Sequence, residues 1–338
     1  MQQLTVIGEN RLEWRNVAEP SLPSEKAAIV RPVAVGVCDF DRAVVQGRYP
    51  ALSFPIAIGH EIVADVVEVG AEVRAIKAGL QVVLPLHISC GVCRACGQGR
   101  TNSCASRPLL SNYGLGERGG DWGGGMSDLL VVPYADAMVV PKPAKLSAID
   151  CAAVGCNLVD LYRTLAPYLI GGETERVLIV GGNAHNMALY GVVMARLLGA
   201  TRIDFLDDDE SRLGEAEALG ARPVPISERS AELYPIVVDC GGDPKRLATA
   251  LTKVAPSGVC TPVWPYAGAF ELPVGAMFLR NATLVTGQPH ARALMEPVLK
   301  LMQVHGFGST SIPVEILPWD RADQDFGFGR RKRIFHRN

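Results

Sequence analysis

The feature that most constrains this sequence is a short loop with four cysteines, SCGVCRACGQGRTNSC, at residues 89–104. Cys90, Cys93, Cys96 and Cys104 follow the spacing C-x2-C-x2-C-x7-C. Two successive C-x2-C steps let local turns aim three thiolates at one point, and the fourth cysteine closes a tetrahedron. Four thiolates with no open position are typical of a structural zinc site. An iron–sulfur cluster could use similar thiols, but the sequence gives no sign of a second electron carrier. A catalytic redox pair would need only two cysteines.

The rest of the composition favours metal binding over disulfide bonds in this loop. The 338 residues include nine cysteines, an odd number that fits a complete disulfide framework poorly. No apolar run approaches the ~20 residues of a membrane span, and the start of the chain does not resemble a signal peptide. We therefore expect a cytoplasmic protein with no membrane partner. Thiols stay reduced in that compartment, and clustered cysteines there bind metal more often than they pair.

Charge argues against a nucleic-acid partner. The formal net charge is −2, so no basic excess is available to hold a phosphate backbone. The one basic run is RRKR at residues 330–333, directly before the apolar stretch IFH. We interpret this run as a solvated turn that leads into a last strand.

The two halves of the chain differ in texture. Up to about residue 150, short Val-rich runs such as EIVADVVEV and QVVLPL predict β-strands separated by turns. Beyond that point, apolar strands alternate with helical segments that end in glycine, as in RVLIVGG followed by NMALYGVVMARLLGA. Alternating strands and helices predict a parallel sheet with right-handed crossovers. The expected fold class is therefore α/β, with a β-rich domain and a doubly wound parallel-sheet domain.

The turn after the first strand of the second half predicts a dinucleotide site. Gly181 fits the first glycine of the G-x-G-x-x-G/A fingerprint, Gly182 follows it, and Asn183 takes the second glycine position. We expect a loop about two residues longer than usual before Ala188. The next strand ends at Asp207, an acid placed to accept hydrogen bonds from the adenosine ribose and to repel a 2′-phosphate. Arg212 follows five residues later. The alternative is a solvated acidic turn, DDD, that caps the following helix.

Three separate positions suggest a second metal site. Cys38 lies in AVGVCDFD, His60 in AIGHEIV and Cys156 in AAVGCNLVD. Two sulfurs and one imidazole would make an open catalytic zinc site with a fourth position for water or substrate. Asp41 is placed to orient His60 through its second ring nitrogen. Taken singly, each of these residues is more often an ordinary core or surface residue.

With these motifs together, the chain resembles the zinc-containing medium-chain dehydrogenase/reductase (alcohol dehydrogenase) superfamily along nearly its whole length. The segments GVCDFD, GHE, C-G-x-C-x-x-C…C and D-x4-R-L carry the resemblance. It implies a GroES-like catalytic domain at residues 1–152 and 290–338, with a zinc lobe at about 88–106. A Rossmann NAD-binding domain at 153–289 would be inserted between the two parts.

The resemblance also implies roles for individual residues. Cys38, His60 and Cys156 would hold the catalytic zinc, and Glu61 would approach the metal or lie behind its ligands. Asp160 falls where the family often has a threonine near the nicotinamide. Phe40 departs from the family, which places Ser or Thr there to carry the substrate proton away.

The sequence thus predicts an oxidoreductase with one catalytic and one structural zinc ion. It would transfer a hydride between NAD and an alcohol or polyol, or the matching carbonyl compound. The resemblance also implies a homodimer or homotetramer. The alternatives are an NADPH-linked carbonyl or alkene reductase of the same superfamily, and a non-enzymatic zinc-ribbon interaction protein. The second of these would leave Cys38, His60 and Asp207 unexplained.

Overall fold

The computed structural model describes residues 1–49, 52–171, 176–228 and 231–337. The polypeptide divides into two compact units. The first contains Met1–Val159 and Pro289–Asn338, and the second contains Asp160–Gln288. The first unit therefore continues seven residues beyond the predicted boundary at 152 and includes Cys156. Within the described residues, no helix combines the length and apolarity needed to cross a membrane.

The strands, in chain order, are β1 (Gln2–Gly8), β2 (Arg11–Asn16), β3 (Ala28–Gly36), β4 (Ile56–Ala57), β5 (Glu61–Val69), β6 (Gln81–Leu84), β7 (Leu130–Val132), β8 (Val140–Pro141), β9 (Arg176–Val180), β10 (Arg202–Asp207), β11 (Arg222–Pro225), β12 (Tyr234–Asp239), β13 (Val254–Pro262), β14 (Thr283–Leu284), β15 (Val314–Pro318) and β16 (Lys332–His336). The α-helices are α1 (Asp39–Val45), α2 (Arg94–Gly97), α3 (Ala135–Met138), α4 (Ala148–Cys151), α5 (Val159–Leu169), α6 (His185–Leu197), α7 (Glu210–Ala218), α8 (Pro244–Thr252), α9 (Val274–Leu279), α10 (Ala291–His305) and α11 (Ala322–Asp325). A π-helical turn, Val154–Leu158, directly precedes α5.

The first unit is built on a largely antiparallel sheet. Its strand order is β15-β16-β3-β5-β6-β8, with β7 pairing to β3, and a separate three-stranded sheet has the order β2-β1-β4. Apolar residues of β5 and β6, including Ile62, Val82 and Leu84, are fully buried in its core. Strand β16 pairs with β3, so the chain beyond residue 330 lies beside the segment that carries Cys38.

The second unit is a parallel sheet of order β11-β10-β9-β12-β13-β14. Numbered from β9, this is the 3-2-1-4-5-6 order of dinucleotide-binding folds, as the alternation of strands and helices predicts. In that order, ligands bind outside the carboxyl ends of the strands where the strand order reverses. That switch point lies between β9 and β12, and the turn after β9 is therefore the expected cofactor site.

Candidate metal and nucleotide sites

The four-cysteine loop folds into a compact group of sulfurs. Cys90, Cys93, Cys96 and Cys104 place their Sγ atoms within 4.8 Å of one another. The backbone N–H groups of Cys90 and Cys93 lie 3.4 Å from the sulfurs of Cys104 and Cys90, respectively. Backbone N–H groups of Cys96 and Ala105 lower the pKa of Cys93 to about 6, which favours the thiolate that binds metals. This donor set fits a closed structural zinc site.

A second group, here called the Cys–His site, contains Cys38, His60 and Cys156. Their ligand atoms also lie within 4.8 Å of one another, and all three residues are buried. Cys38 precedes α1, His60 precedes β5, and Cys156 lies on the π-helical turn. Gly59 has a φ of 97°, a left-handed conformation that a larger residue would adopt only with strain. Among the described residues, no further Cys, His, Asp or Glu joins this group.

The His60 ring is held by a buried carboxylate. Its Nδ1 lies 3.1 Å from Asp41 Oδ1, and Asp41 Oδ2 accepts a hydrogen bond of 2.9 Å from the Cys38 backbone N–H. Burial by itself lowers the pKa of His60, but the Asp41 carboxylate outweighs it and raises that pKa well above the usual value. The pairing leaves Nε2 as the nitrogen for a metal, in the arrangement that zinc-ligating histidines normally have.

The chemistry of the two sulfurs also fits a metal. A hydrogen bond from Cys156 holds the pKa of Cys38 well below its usual range, against the effect of burial. The thiolate is the form that binds zinc. Two sulfurs, one imidazole and a free fourth position describe an open, catalytic type of zinc site.

Two residues next to this site were not among those that the sequence pointed to as site residues. Lys332 belongs to the run RRKR, which we expected to be solvated. Arg330 and Arg331 are exposed, but for Lys332 this expectation is wrong. Its side chain is fully buried and forms an ion pair with Glu61, which is also fully buried. Burial raises the pKa of Glu61 to about 7, while the nearby Lys332 ammonium opposes that shift. Asn157, the other unanticipated residue, donates from its side-chain Nδ2 to Cys38 Sγ at 3.2 Å.

The turn after β9 is shorter than expected. Helix α6 begins at His185, so the six-residue pattern that starts at Gly181 ends at Asn186. Ala188 lies fully buried inside the helix, rather than at the end of a longer loop. The side chain of Asn183 donates to the carbonyl of Gly242 at 3.1 Å. Its backbone N–H donates to the Gly241 carbonyl at 2.9 Å, so this N–H is not aimed at a pyrophosphate.

Asp207 lies directly beneath this turn. A Cβ on Gly181 would approach Asp207 Oδ2 to 2.1 Å, so only glycine fits there without displacing the acid. Both carboxylate oxygens are held by Arg212, at 2.6 and 2.7 Å, and the acid is fully buried. Arg246 donates to the Gly181 carbonyl at 3.0 Å and pairs with Asp208, which is exposed. The turn is thus bordered by two acids and two guanidinium groups.

Asp160 and Phe40 lie in separate units. Asp160, in the second unit, accepts a hydrogen bond of 2.5 Å from Arg163 Nε, and Arg163 also donates to the Gly287 carbonyl at 2.6 Å. In the first unit, the Phe40 ring packs edge-on against Tyr49, with 4.9 Å between ring centroids. Phe40 also packs against a buried apolar cluster. Its side chain therefore adds an apolar surface at a position where the resembled family usually has a hydroxyl.

The sequence is similar to a known domain family and to several dehydrogenases. Residues 24–144 match the alcohol dehydrogenase GroES-like domain. A probable zinc-binding alcohol dehydrogenase of Mycobacterium tuberculosis is 27% identical over 98% of this chain and 86% of its own length. The glutathione-independent formaldehyde dehydrogenase of Bacillus subtilis is 32% identical over 60% of this chain, which is half the length of that enzyme.

A solved structure matches the whole chain. Alcohol dehydrogenase TADH from Thermus sp. ATN1 superimposes with a TM-score of 0.89, and 100% of each chain is covered. The two sequences are 24% identical, so this likeness supports the fold alone.

Proposed function

We propose that this chain, which belongs to the zinc-containing medium-chain dehydrogenase/reductase superfamily, transfers a hydride between an alcohol or polyol and NAD. An alcohol dehydrogenase-like oxidoreductase is the activity class of that superfamily. The observation that carries the proposal is the Cys–His site, whose two sulfurs and one imidazole leave a fourth position for a substrate oxygen.

The residues of the site have separable tasks. Zinc, when bound, supplies Lewis-acid polarisation of the alcohol oxygen, and NAD accepts the hydride. Cys38, His60 and Cys156 would hold the metal, and Asp41 fixes the orientation of the His60 ring. Phe40 provides an apolar wall that cannot move a proton.

A substrate screen tests the proposal. Purified protein with its zinc content measured would be incubated with a panel of alcohols, polyols and aldehydes, including formaldehyde, while NADH and NADPH absorbance is followed. We expect zinc-dependent turnover of at least one primary or secondary alcohol with NAD. Full zinc occupancy without turnover of any member of the panel would contradict the proposal.

We propose that Asp160 accepts the proton released by the substrate, because the phenyl ring of Phe40 has no group that could accept it. Its carboxylate is buried and held in place by Arg163, so its position is fixed. Asp160→Asn should lower kcat by roughly 10²–10⁴-fold, the usual effect of losing a general acid–base group. Phe40→Thr should restore part of the rate. An increase confined to the KM for NAD would assign Asp160 to cofactor binding instead.

The preference for NAD over NADP is proposed to depend on Asp207. Its negative charge under the Gly181 turn opposes a 2′-phosphate, and it also keeps Arg212 occupied in a two-point ion pair. Asp207→Ser should remove the like charge and release Arg212 and the nearby Arg246 for a phosphate. We expect the ratio of kcat/KM for NAD to that for NADP to fall about 10- to 100-fold.

A matched charge control lies three residues after Asp207. Glu210→Gln also removes one negative charge, but from an exposed position on α7. This variant should leave the cofactor ratio within about twofold of the wild type. Equal use of both cofactors by the wild-type protein would refute the role of Asp207. It would favour the NADPH-linked reductase, the alternative that the two arginines support.

Assembly into a dimer or tetramer is proposed through a second copy of the chain at α9. Val274, Phe278 and Leu279 are 63%, 80% and 84% exposed, and the edge strand β14 follows four residues after the helix. Exposed apolar side chains beside an unpaired strand edge are typical of association surfaces. Phe278→Asp with Leu279→Asp should halve the mass seen in sedimentation, whereas Val304→Asp, also at an exposed apolar position, should not. A monomeric wild-type protein would contradict this.

A further inference from the structure

A buried cation lies behind the Cys–His site. The Lys332 side chain has no exposed surface, and its ammonium forms an ion pair with the equally buried Glu61. It also donates to Asn157 Oδ1 at 3.0 Å. Charges of this kind are costly to bury unless each is paired and hydrogen-bonded. Glu61 and Lys332 are 271 residues apart in the chain, so the fold brings this pair together from β5 and β16.

Asn157 connects this ion pair to the sulfurs. Its backbone N–H donates to Glu61 Oε1 at 3.2 Å, and its side-chain Nδ2 lies 3.2 Å from Cys38 Sγ and 3.6 Å from Cys156 Sγ. The orientation of the amide follows from chemistry, because an ammonium can only donate and must therefore face the amide oxygen. The NH₂ end is then left for the two sulfurs.

This arrangement has a direct electrostatic consequence. The Lys332 ammonium polarises the amide, which strengthens the donors that face the sulfurs in these buried surroundings. A hydrogen bond to a thiolate stabilises the charged form that binds a metal. Asn157 also contacts both sulfurs at once, so it constrains the separation of two ligands that come from distant parts of the sequence.

We propose that Asn157, polarised by Lys332, is a positioning residue that holds the Cys38 and Cys156 thiolates in place for the metal. The inference rests on the proposed role of the Cys–His site in binding zinc. It concerns metal affinity and ligand geometry, both of which can be measured without a substrate.

The test uses the full chain and a competing zinc chelator. Wild-type protein should release two zinc ions, one from each site. Asn157→Leu removes both ends of the amide bridge and should weaken zinc binding at one site by 10- to 100-fold, the usual effect of losing a partner of a metal ligand. Lys332→Met should act in the same direction, and Lys332→Arg should restore most of the affinity. After cobalt replaces zinc, the thiolate-to-cobalt absorption band should shift in Asn157→Leu.

A control variant separates this role from general destabilisation. Leu158 lies on the same π-helical turn and is fully buried. Leu158→Ala should lower the unfolding temperature but leave zinc affinity within about twofold and the cobalt band unmoved. If Asn157→Leu keeps both the wild-type zinc affinity and the wild-type cobalt band, the inference is wrong. If the wild-type protein shows no dehydrogenase activity while Asn157→Leu still shows the expected loss of zinc affinity, the proposed function is overturned and this inference stands.

Discussion

Replacing Cys38 with Ser is expected to lower dehydrogenase turnover at least about 1,000-fold and to leave the fold intact. The loss corresponds to about 4 kcal/mol of transition-state stabilisation, within the several kcal/mol that a Lewis-acid metal supplies. Cys38 supplies one of only two sulfurs in the Cys–His site, and a serine hydroxyl is a much weaker zinc ligand than a thiolate. Zinc content should fall from two ions per chain to one.

Turnover, metal content and thermal unfolding measured on the same preparation would check this result. Cys151→Ser is the matched control, because Cys151 is as buried as Cys38 but belongs to neither metal group. It should keep both zinc ions and most of the activity. A Cys38→Ser protein that retains two zinc ions, or turns over within tenfold of the wild type, would exclude Cys38 as a ligand of the catalytic metal.

Cys93→Ser should mainly lower the stability of the protein, whereas Cys38→Ser should mainly lower its turnover. A structural zinc contributes its binding free energy to folding, so a missing thiolate weakens the folded state of the lobe directly. We expect a loss of about 4 kcal/mol, which lowers the unfolding temperature by roughly 10 °C. The protein that remains folded at 20 °C should keep its Cys–His site and a large part of its specific activity.

Differential scanning calorimetry with metal analysis would test that profile. Ser103→Ala provides a control in the same loop, because Ser103 is exposed and its hydroxyl donates to the side chain of its neighbour Asn102. It should change the unfolding temperature by no more than 1–2 °C. An unchanged unfolding temperature in Cys93→Ser would show that the four-cysteine group is not a structural zinc site.

The parts of the fold that could be predicted from the sequence are those with a local signature. The four cysteines are close in sequence, so their spacing alone predicts their convergence. The strand–turn–helix pattern around Gly181 predicts the parallel sheet, because each crossover is a local event. The rest of the architecture follows from the family resemblance, and it agrees with the match of residues 24–144 to the GroES-like domain and with the fold of the structural neighbour.

Three features of the sites could not be predicted from the sequence, each for its own reason. Lys332 was interpreted as solvated because a run of basic residues usually is, and its partner Glu61 is too distant in sequence to be inferred. The turn before Ala188 is shorter than predicted because Asn183 stands at the second glycine position and helix α6 already begins at His185. The pairing of Asp207 with Arg212 could not be foreseen from spacing, because an acid at a strand end can face either a ligand or a neighbouring side chain.

The ion pair between Glu61 and Lys332 also has a consequence for biosynthesis. Glu61 is synthesised before the second unit, whereas Lys332 emerges only after the whole second unit has been made. At typical synthesis rates of about 5–20 residues per second, the separation of 271 positions takes roughly 14 to 54 s to synthesise. During that interval Glu61 lacks the cation with which it later forms an ion pair. The Glu61–Lys332 ion pair behind the Cys–His site can therefore form only after the second unit has been synthesised.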